Sequence, residues 1–580
     1  MPAVWRYPLA LVAVPALVCA QWYAAPAGIR PPSQGSGASI LPGGRIVAPA
    51  GGQFATGPSP FGLAVSAAGK AVATAVPGPD ASALTLMERG TGGRWEVRQV
   101  PARAPETPFR SGAPDWRDAS RGLVFSGQRA AFVAEGAAGR ISLLDWNTGR
   151  IRAIDLNRGG AAASYAGALA FDASSGLLYA ADAANSRIAV IEARSRQVIA
   201  WAGVGLPPAA LALSPDRRKL YVAAAGALRV VDVSDPSTPK VEAAIATGPP
   251  DRAGEAPAGP FGVAAAGGRV FVSNGGDDSV TVIDAAANRV EAEIPIRIPG
   301  FESLRGVLPA GLAYHAPSGL LLVAEAGINA VGVIDTRAGR VIGHIPAGWF
   351  PTGVAIGGDS VFALNARGAG PNAPFGESQW LRGSVSVFPV PSLEELPSRT
   401  ALVMEANGFQ PRAGAAPPLP AGVRYVVLIV KEGRSYDETL GDIPGASNGP
   451  AMSFPDLARF GTRGYVDGRR QRLSIKDLNI TPNHHAIALQ WAFSDNFYAD
   501  SPSWTAALEH LGRHGAAVEA FGARQAFDAN IRDQDRAAQF RGDVEVVNGL
   551  GDGHPSRWDI VRIFALARFV LKLVVVLAGV

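Results

Sequence analysis

Cysteine is nearly absent from this chain: Cys19 is its only one. One thiol cannot build a disulfide framework, so any folded part must rely on a packed core, even in an oxidising compartment. Histidine is scarce too, with seven in 580 residues, and only His315 and His344 fall between residues 44 and 400. That excludes a multi-copper centre there, which needs many more imidazoles. The net charge is only +4, with both signs mixed along the chain. No Lys/Arg run and no interleaved aromatic pattern occurs, so the footprint of a nucleic-acid binder is missing. Uninterrupted apolar runs of membrane-span length are also missing. Residues 7–18 form a run too short for a span, and the apolar tail from Ile560 is broken by Arg562, Arg568 and Lys572.

Glycine (69) and proline (46) are plentiful, which suits many short strands and tight turns. At 580 residues the chain exceeds one ordinary core, and at least two domains are expected. Residues 44–400 contain an internal repeat. Units open at Pro60-Phe61-Gly62-Leu63-Ala64, Ser120-Arg121-Gly122-Leu123-Val124, Ala166-Gly167-Ala168-Leu169-Ala170, Pro208-Ala209-Ala210-Leu211-Ala212, Pro260-Phe261-Gly262-Val263-Ala264, Pro309-Ala310-Gly311-Leu312-Ala313 and Pro351-Thr352-Gly353-Val354-Ala355. Each continues into a second strand such as Lys219-Leu220-Tyr221-Val222-Ala223, an alternating third such as Ser279-Val280-Thr281-Val282-Ile283-Asp284, and a fourth such as Arg340-Val341-Ile342-Gly343-His344-Ile345. Four short strands per unit predict an all-β seven-bladed β-propeller rather than an open solenoid. Arg45-Ile46-Val47 is the expected ring-closing strand. Asp232, Asp284 and Asp335, at the ends of third strands, are expected to form Asx turns. Asp277-Asp278 reads as a solvated loop.

Arg6, the apolar run 7–18 and Val18-Cys19-Ala20 read as a signal peptide over residues 1–20, with an uncleaved anchor as the alternative. The protein is accordingly expected to be periplasmic or secreted. Residues 401–422 are rich in Pro, Gly and Ala and read as a linker. Residues 541–580 form an atypical apolar tail, either a basic amphipathic helix or the product of a frame change.

Beyond the linker, residues 426–437 (VVLIVKEGRSYD) read as a buried parallel strand with polar groups at its C-terminal end, where open α/β sheets bind ligands. Glu432 there, with the later His484 and His485, has the chemistry of a metal site. Asp437 is expected to cap the following helix.

These residues also carry a resemblance. The repeats resemble YVTN-type propeller repeats, through Tyr221-Val222-Ala223-Ala224. Lys431-Glu432-Gly433-Arg434-Ser435-Tyr436-Asp437, residues 481–488 (TPNHHAIA) and Asp495-Asn496-Phe497-Tyr498 resemble, in the same order, motifs of the bacterial phosphoesterase family. That family includes phospholipase C and acid phosphatases of the alkaline-phosphatase superfamily. The resemblance implies a smaller, incomplete α/β domain over residues 423–540. It also implies metal-dependent hydrolysis of phosphoric esters, with a divalent cation such as zinc on Glu432 and on His484 or His485. Gly433 stands where the family has Asn, and the family's nucleophile-bearing segment and distal ligands are missing. Ser501, Ser503 and Thr505 remain as nucleophile candidates. The expected function is therefore an exported phosphoesterase impaired by truncation, acting on a phosphoester substrate. The alternative is a non-catalytic scaffold binding a ligand on the propeller face.

Overall fold

The computed structural model describes residues 33–100, 122–249, 260–368, 382–409, 425–429, 436–493 and 575–579, apart from single residues and short stretches within them. The chain parts near Arg412 into two compact units.

The first unit is a seven-bladed propeller. Among the described residues, seven antiparallel sheets of four strands follow one another. Blades one to six span 62–100, 123–155, 166–203, 208–246, 260–295 and 309–346. Blade seven takes Pro351–Gly357, Ser360–Asn365 and Arg382–Pro389 from one end of the repeat and Gly52–Pro58 from the other. This corrects the expected closure. Gly52–Pro58 pairs antiparallel with Arg382–Pro389, Phe54 opposite Val385, whereas Ile46–Val47 forms a small hairpin with Ser39–Ile40. Phe54 packs against Trp95 at 5.8 Å, burying the seam between blades seven and one. Arg45 has a different task. Its Nη1 donates to the Gly327 carbonyl at 2.6 Å and to Asn407 Oδ1 at 3.1 Å.

The core lies between blades. Phe271, Val280 and Ile294 of blade five meet Leu321, Val323 and Ile334 of blade six in one buried cluster. Second strands such as Lys219–Ala224 are buried along nearly their whole length, while fourth strands such as Lys240–Ala246 are largely exposed. First strands crowd around the axis, which explains the recurrent Gly-[Leu/Val]-Ala. A Cβ on Gly311 would lie 2.8 Å from the Gly353 Cα of the next blade. Helix α1 (Leu396–Asn407) covers the outer edge of blade six. Thr400 Oγ1 accepts a 2.9 Å bond from the His344 amide, and Asn407 Nδ2 donates to the Ile328 carbonyl at 2.9 Å. The helix thus takes up the start of the segment expected as linker and supplies donors and acceptors to an otherwise open sheet edge.

The two faces of the ring differ. Turns joining first to second and third to fourth strands are short, the longest running from Asp232 to Lys240. The expected Asx turns are here: Asp284 accepts from the amides of Ala286 and Ala287, Asp335 from Arg337 and Ala338, and Asp232 from Ser234. Connections on the other face run from Val100 to Leu123, Ala246 to Pro260, Pro295 to Pro309 and Asn365 to Arg382.

The second unit is small. Tyr425–Ile429 is a strand as expected, but it pairs antiparallel with Val575–Gly579 of the tail. The buried parallel sheet of the sequence reading therefore does not appear among the described residues. Parallel pairing needs a covered crossover on each face, whereas the apolar tail strand offers a direct antiparallel partner. The tail is thus β-strand over Val575–Gly579 rather than amphipathic helix there. A short helix α2 (Tyr436–Leu440), a hairpin of Gly464–Asp467 with Ser474–Leu478, and helix α3 (Pro482–Gln490) complete the described part. Its core is thin: Leu440, Ile443 and Ala488 with Tyr436 and Phe493. Leu457, Ile475, Leu489 and Trp491 stay exposed. No helix among the described residues is long and apolar enough to cross a membrane.

Candidate functional site

Of the residues the sequence nominates for chemistry, Glu432, Ser501, Ser503 and Thr505 lie outside the described residues. The signal-peptide stretch 1–20 lies outside them as well. Asp437 sits inside the first turn of α2, one residue after its start, instead of at the cap position.

His484 and His485 open α3, whose first helical residue is Pro482, favoured there because its missing N–H would have no intrahelical partner. His485 is buried, and both ring nitrogens are engaged. Nε2 lies 2.8 Å from Asp442 Oδ1, and Nδ1 lies 2.9 Å from the Thr481 carbonyl and 3.1 Å from Thr481 Oγ1. Thr481 Oγ1 itself donates to the Phe460 carbonyl at 2.5 Å. Asp442 accepts at its other oxygen from the Thr462 amide (2.7 Å) and hydroxyl (2.6 Å). Burial raises the Asp442 pKa, but bonds from Thr462 and His485 outweigh it and hold the carboxyl below its usual range. The pair ties α3 to the loop after α2. A cation could use an His485 nitrogen only if one of these partners let go. Nothing in the sequence singles out Asp442, because its partners lie 20 and 43 residues away. Among the described residues, no group of three His, Cys, Asp or Glu could hold a metal ion.

The propeller has its own polar chemistry, on the face with the long connections. In five blades a polar residue at or just after the end of the second strand is buried among partners from neighbouring strands. In blade five, Asn274 Nδ2 donates to Ser279 Oγ, Thr281 Oγ1 and Glu293 Oε1. The corresponding residues are Glu135 with Arg140 and Ser142 in blade two, and Asp182 with Arg187 and Trp201 in blade three. Blade six has Glu325 with His344, and blade seven has Asn365 with Ser384, Ser386 and Gln53. Blades one and four carry Val76 and Ala224 at this place. Polar side chains buried here need partners; each of the five polar blades supplies a different set, and Asn274 Oδ1, Glu325 Oε1 and Asn365 Oδ1 are left without a hydrogen bond among the described residues.

Two of these sets hold ionisable groups under stress. Burial pushes the Glu293 carboxyl up, and the nearby Asp277 adds to this, while bonds from Ser279, Thr281 and Asn274 oppose it. His344 is 1% exposed and lies 2.7 Å from Glu325 Oε2 through Nδ1. Burial disfavours its charged form, but the Glu325 carboxylate and the Arg297 carbonyl outweigh that and raise its pKa above the usual imidazole value. Gly332 makes room for this pair: a Cβ there would lie 2.7 Å from Glu325 Cδ.

Asp277 and Asp278 are buried, which corrects their reading as a solvated loop. Asp278 adopts a left-handed conformation (φ 49°). Its carboxylate accepts from the amides of Gly306 (2.6 Å) and Leu308 (2.9 Å), and its carbonyl accepts from Ile296 (2.7 Å). Asn329 repeats the device in blade six, accepting from the amides of Phe350 and Ala347. Asp and Asn tolerate this backbone and carry the acceptor that folds back the connection to the next blade.

No family model matches the chain, and no curated protein sequence matches it. Solved propellers are similar to it in fold. Virginiamycin B lyase from Staphylococcus aureus has 14% identity and a TM-score of 0.43, over 58% of this chain and 99% of that one. A streptogramin B lyase has 15% identity and a TM-score of 0.42, over 58% and 97%. A chain of the mitotic checkpoint complex has 12% identity and a TM-score of 0.43, over 59% and 91%.

Proposed function

We propose that this protein is an exported, non-catalytic propeller scaffold that docks a ligand on the face bearing the long connections. One observation carries this reading: every connection longer than the seven residues between Asp232 and Lys240 joins strand ends on that face, while the opposite face closes through shorter turns. Long connections on a rigid frame are where propeller-type scaffolds place recognition. The small second unit supports the same reading, because His485 is engaged on both ring nitrogens.

The second reading is divalent-metal-dependent hydrolysis of phosphoric esters by residues 423–540. The three motifs in family order favour it, with Glu432 and His484 or His485 as ligands and Ser501, Ser503 or Thr505 as nucleophile. Metal-assisted phosphoryl transfer needs a positioned nucleophile and a fixed set of ligands. One assay separates the readings. The purified chain is given a chromogenic phosphomonoester and a phosphodiester with and without added zinc, beside Glu432→Gln. The scaffold reading expects no turnover above that of the variant. Zinc-dependent turnover that a chelator and Glu432→Gln both abolish would overturn it. Export is checked by N-terminal sequencing of protein recovered outside the cytoplasm, which should begin near residue 21; a chain beginning at Met1 would refute cleavage.

A further inference from the structure

Residues 296–308 lead from blade five to blade six on the face with the long connections. This connection is a packed platform. Ile296, Ile298, Phe301 and Val307 are buried in the cluster between the two blades. Ile298 and Phe301 form a backbone bridge. Asp278 pins the segment at both ends, through Ile296 on one side and Gly306 and Leu308 on the other.

Two arginines stand on this platform. Arg297 Nη1 donates to the carbonyls of Asp278 (2.9 Å) and Ile296 (2.8 Å). Arg305 Nη1 donates to the carbonyls of Glu302 (2.6 Å) and Leu304 (3.2 Å). Among the described residues these are each guanidinium's only hydrogen bonds and neither arginine forms an ion pair, so Nε and Nη2 remain available. Both side chains are half-buried. Burial and the like charge of Arg305 hold Arg297 below its usual pKa, with the charges of Asp278 and Asp277 opposing this. The Asp278 carboxylate is already occupied by two backbone amides. A surface arginine swinging in water needs no counter-ion. Two guanidinium groups anchored by one edge on a packed segment, with the remaining donors unfilled, match the fork geometry by which arginine takes an oxyanion. Because the platform is already ordered, binding there would cost little conformational entropy.

We propose that Arg297 and Arg305 form an anion-binding site on this face, taking the phosphate or carboxylate group of the docked ligand. The proposal rests on the scaffold reading and names the chemistry of its ligand. Because Arg305 lies just before the first strand of blade six, the anion would sit toward the inner end of the connection, near the axis.

The test titrates the full chain with inorganic phosphate and with citrate by calorimetry, at constant ionic strength set with chloride. Four proteins are compared: the parent, Arg297→Gln/Arg305→Gln, Arg305→Gln alone, and Arg337→Gln/Arg340→Gln on the opposite face. At least one anion is expected to bind the parent and the opposite-face variant alike, with affinity about tenfold or more weaker in Arg297→Gln/Arg305→Gln. Phosphate without citrate identifies a phosphate group, and citrate without phosphate a carboxylate. Should the double variant not fold, Arg305→Gln carries the test, since that side chain bonds only within its own connection. Binding unchanged in the folded variant would place the anion elsewhere in the chain and overturn the proposal. Failure of both anions to bind the parent would also overturn it, while leaving the scaffold reading to its own phosphoester assay.

Discussion

Gly332→Ala should be far more damaging than a glycine-to-alanine change in a strand ordinarily is. In an ordinary strand, alanine gains about 0.5–1 kcal/mol over glycine by reducing backbone entropy. At residue 332 the added methyl carbon would meet the Glu325 carboxylate, with Cδ at 2.7 Å and an oxygen closer still. Glu325 and His344 are both almost wholly buried. The carboxylate must therefore withdraw from the imidazole and leave a buried charge uncompensated. Breaking a buried pair from one side costs about 3–5 kcal/mol, so a net loss of roughly 2–4 kcal/mol follows once the glycine term is subtracted. The dependence on pH supplies a second readout. The folded pKa of His344 is raised, so its stabilisation is complete below the unfolded imidazole value near 6.5 and is lost as pH rises through the folded value. The parent should lose stability on that alkaline side more steeply than Gly332→Ala. Hydrogen exchange of the strand amides in blade six, with denaturant unfolding at several pH values, measures both. The decisive control is a double-mutant cycle: in a Glu325→Ala background the added methyl has nothing to displace, and the cost of Gly332→Ala should largely vanish. An equal cost in both backgrounds, or an unchanged pH slope, would refute the reasoning.

Asp278→Ala should free residues 296–308, because the half-buried amides of Gly306 and Leu308 lose their acceptor, at about 1 kcal/mol each; unchanged amide exchange across 304–308 would contradict this. Gly311→Ala should overpack the axis, since its methyl would meet Gly353 of the next blade, and cost about 1–3 kcal/mol; a neutral effect on unfolding would mean that the first strands are looser than described. The Asp442 carboxyl is held below its usual pKa, so its support of the second unit is present above the unfolded carboxyl value and is lost as pH falls through the folded value. Asp442→Asn should therefore flatten the acid limb of that unit's unfolding, and an unaltered limb would dismiss the role of the Asp442–His485 pair. Removal of residues 39–58 should leave blade seven with an open edge at Arg382–Pro389 and make the chain self-associate; a monomer by light scattering with intact β-structure would argue against that seam.

Much of the propeller was legible in the chain itself. Period-two alternation and recurrent turn residues are local signals, so the seven unit starts and the Asx turns at Asp232, Asp284 and Asp335 could be read without any tertiary contact. Even the crowded axis leaves a local mark in the repeated Gly-[Leu/Val]-Ala. Ring closure does not, because Phe54 meets Val385 across more than half the chain and nothing nearby distinguishes Gly52–Pro58 from Arg45-Ile46-Val47 as the closing strand. Asp277-Asp278 looked like a solvated pair because adjacent charges usually are; a left-handed turn and two distant amides bury them instead. A polar residue at or just after the end of the second strand recurs in five blades, yet its partners, from His344 to Gln53, are chosen by cross-strand register. For the second unit, the motifs marked Glu432, His484 and His485 as reactive residue types, but a residue type does not fix what occupies its nitrogens. Asp442 and Thr481 do that for His485, and only the tertiary fold brings them there, because a hydrogen bond is a matter of a few tenths of an ångström that no spacing along the chain encodes.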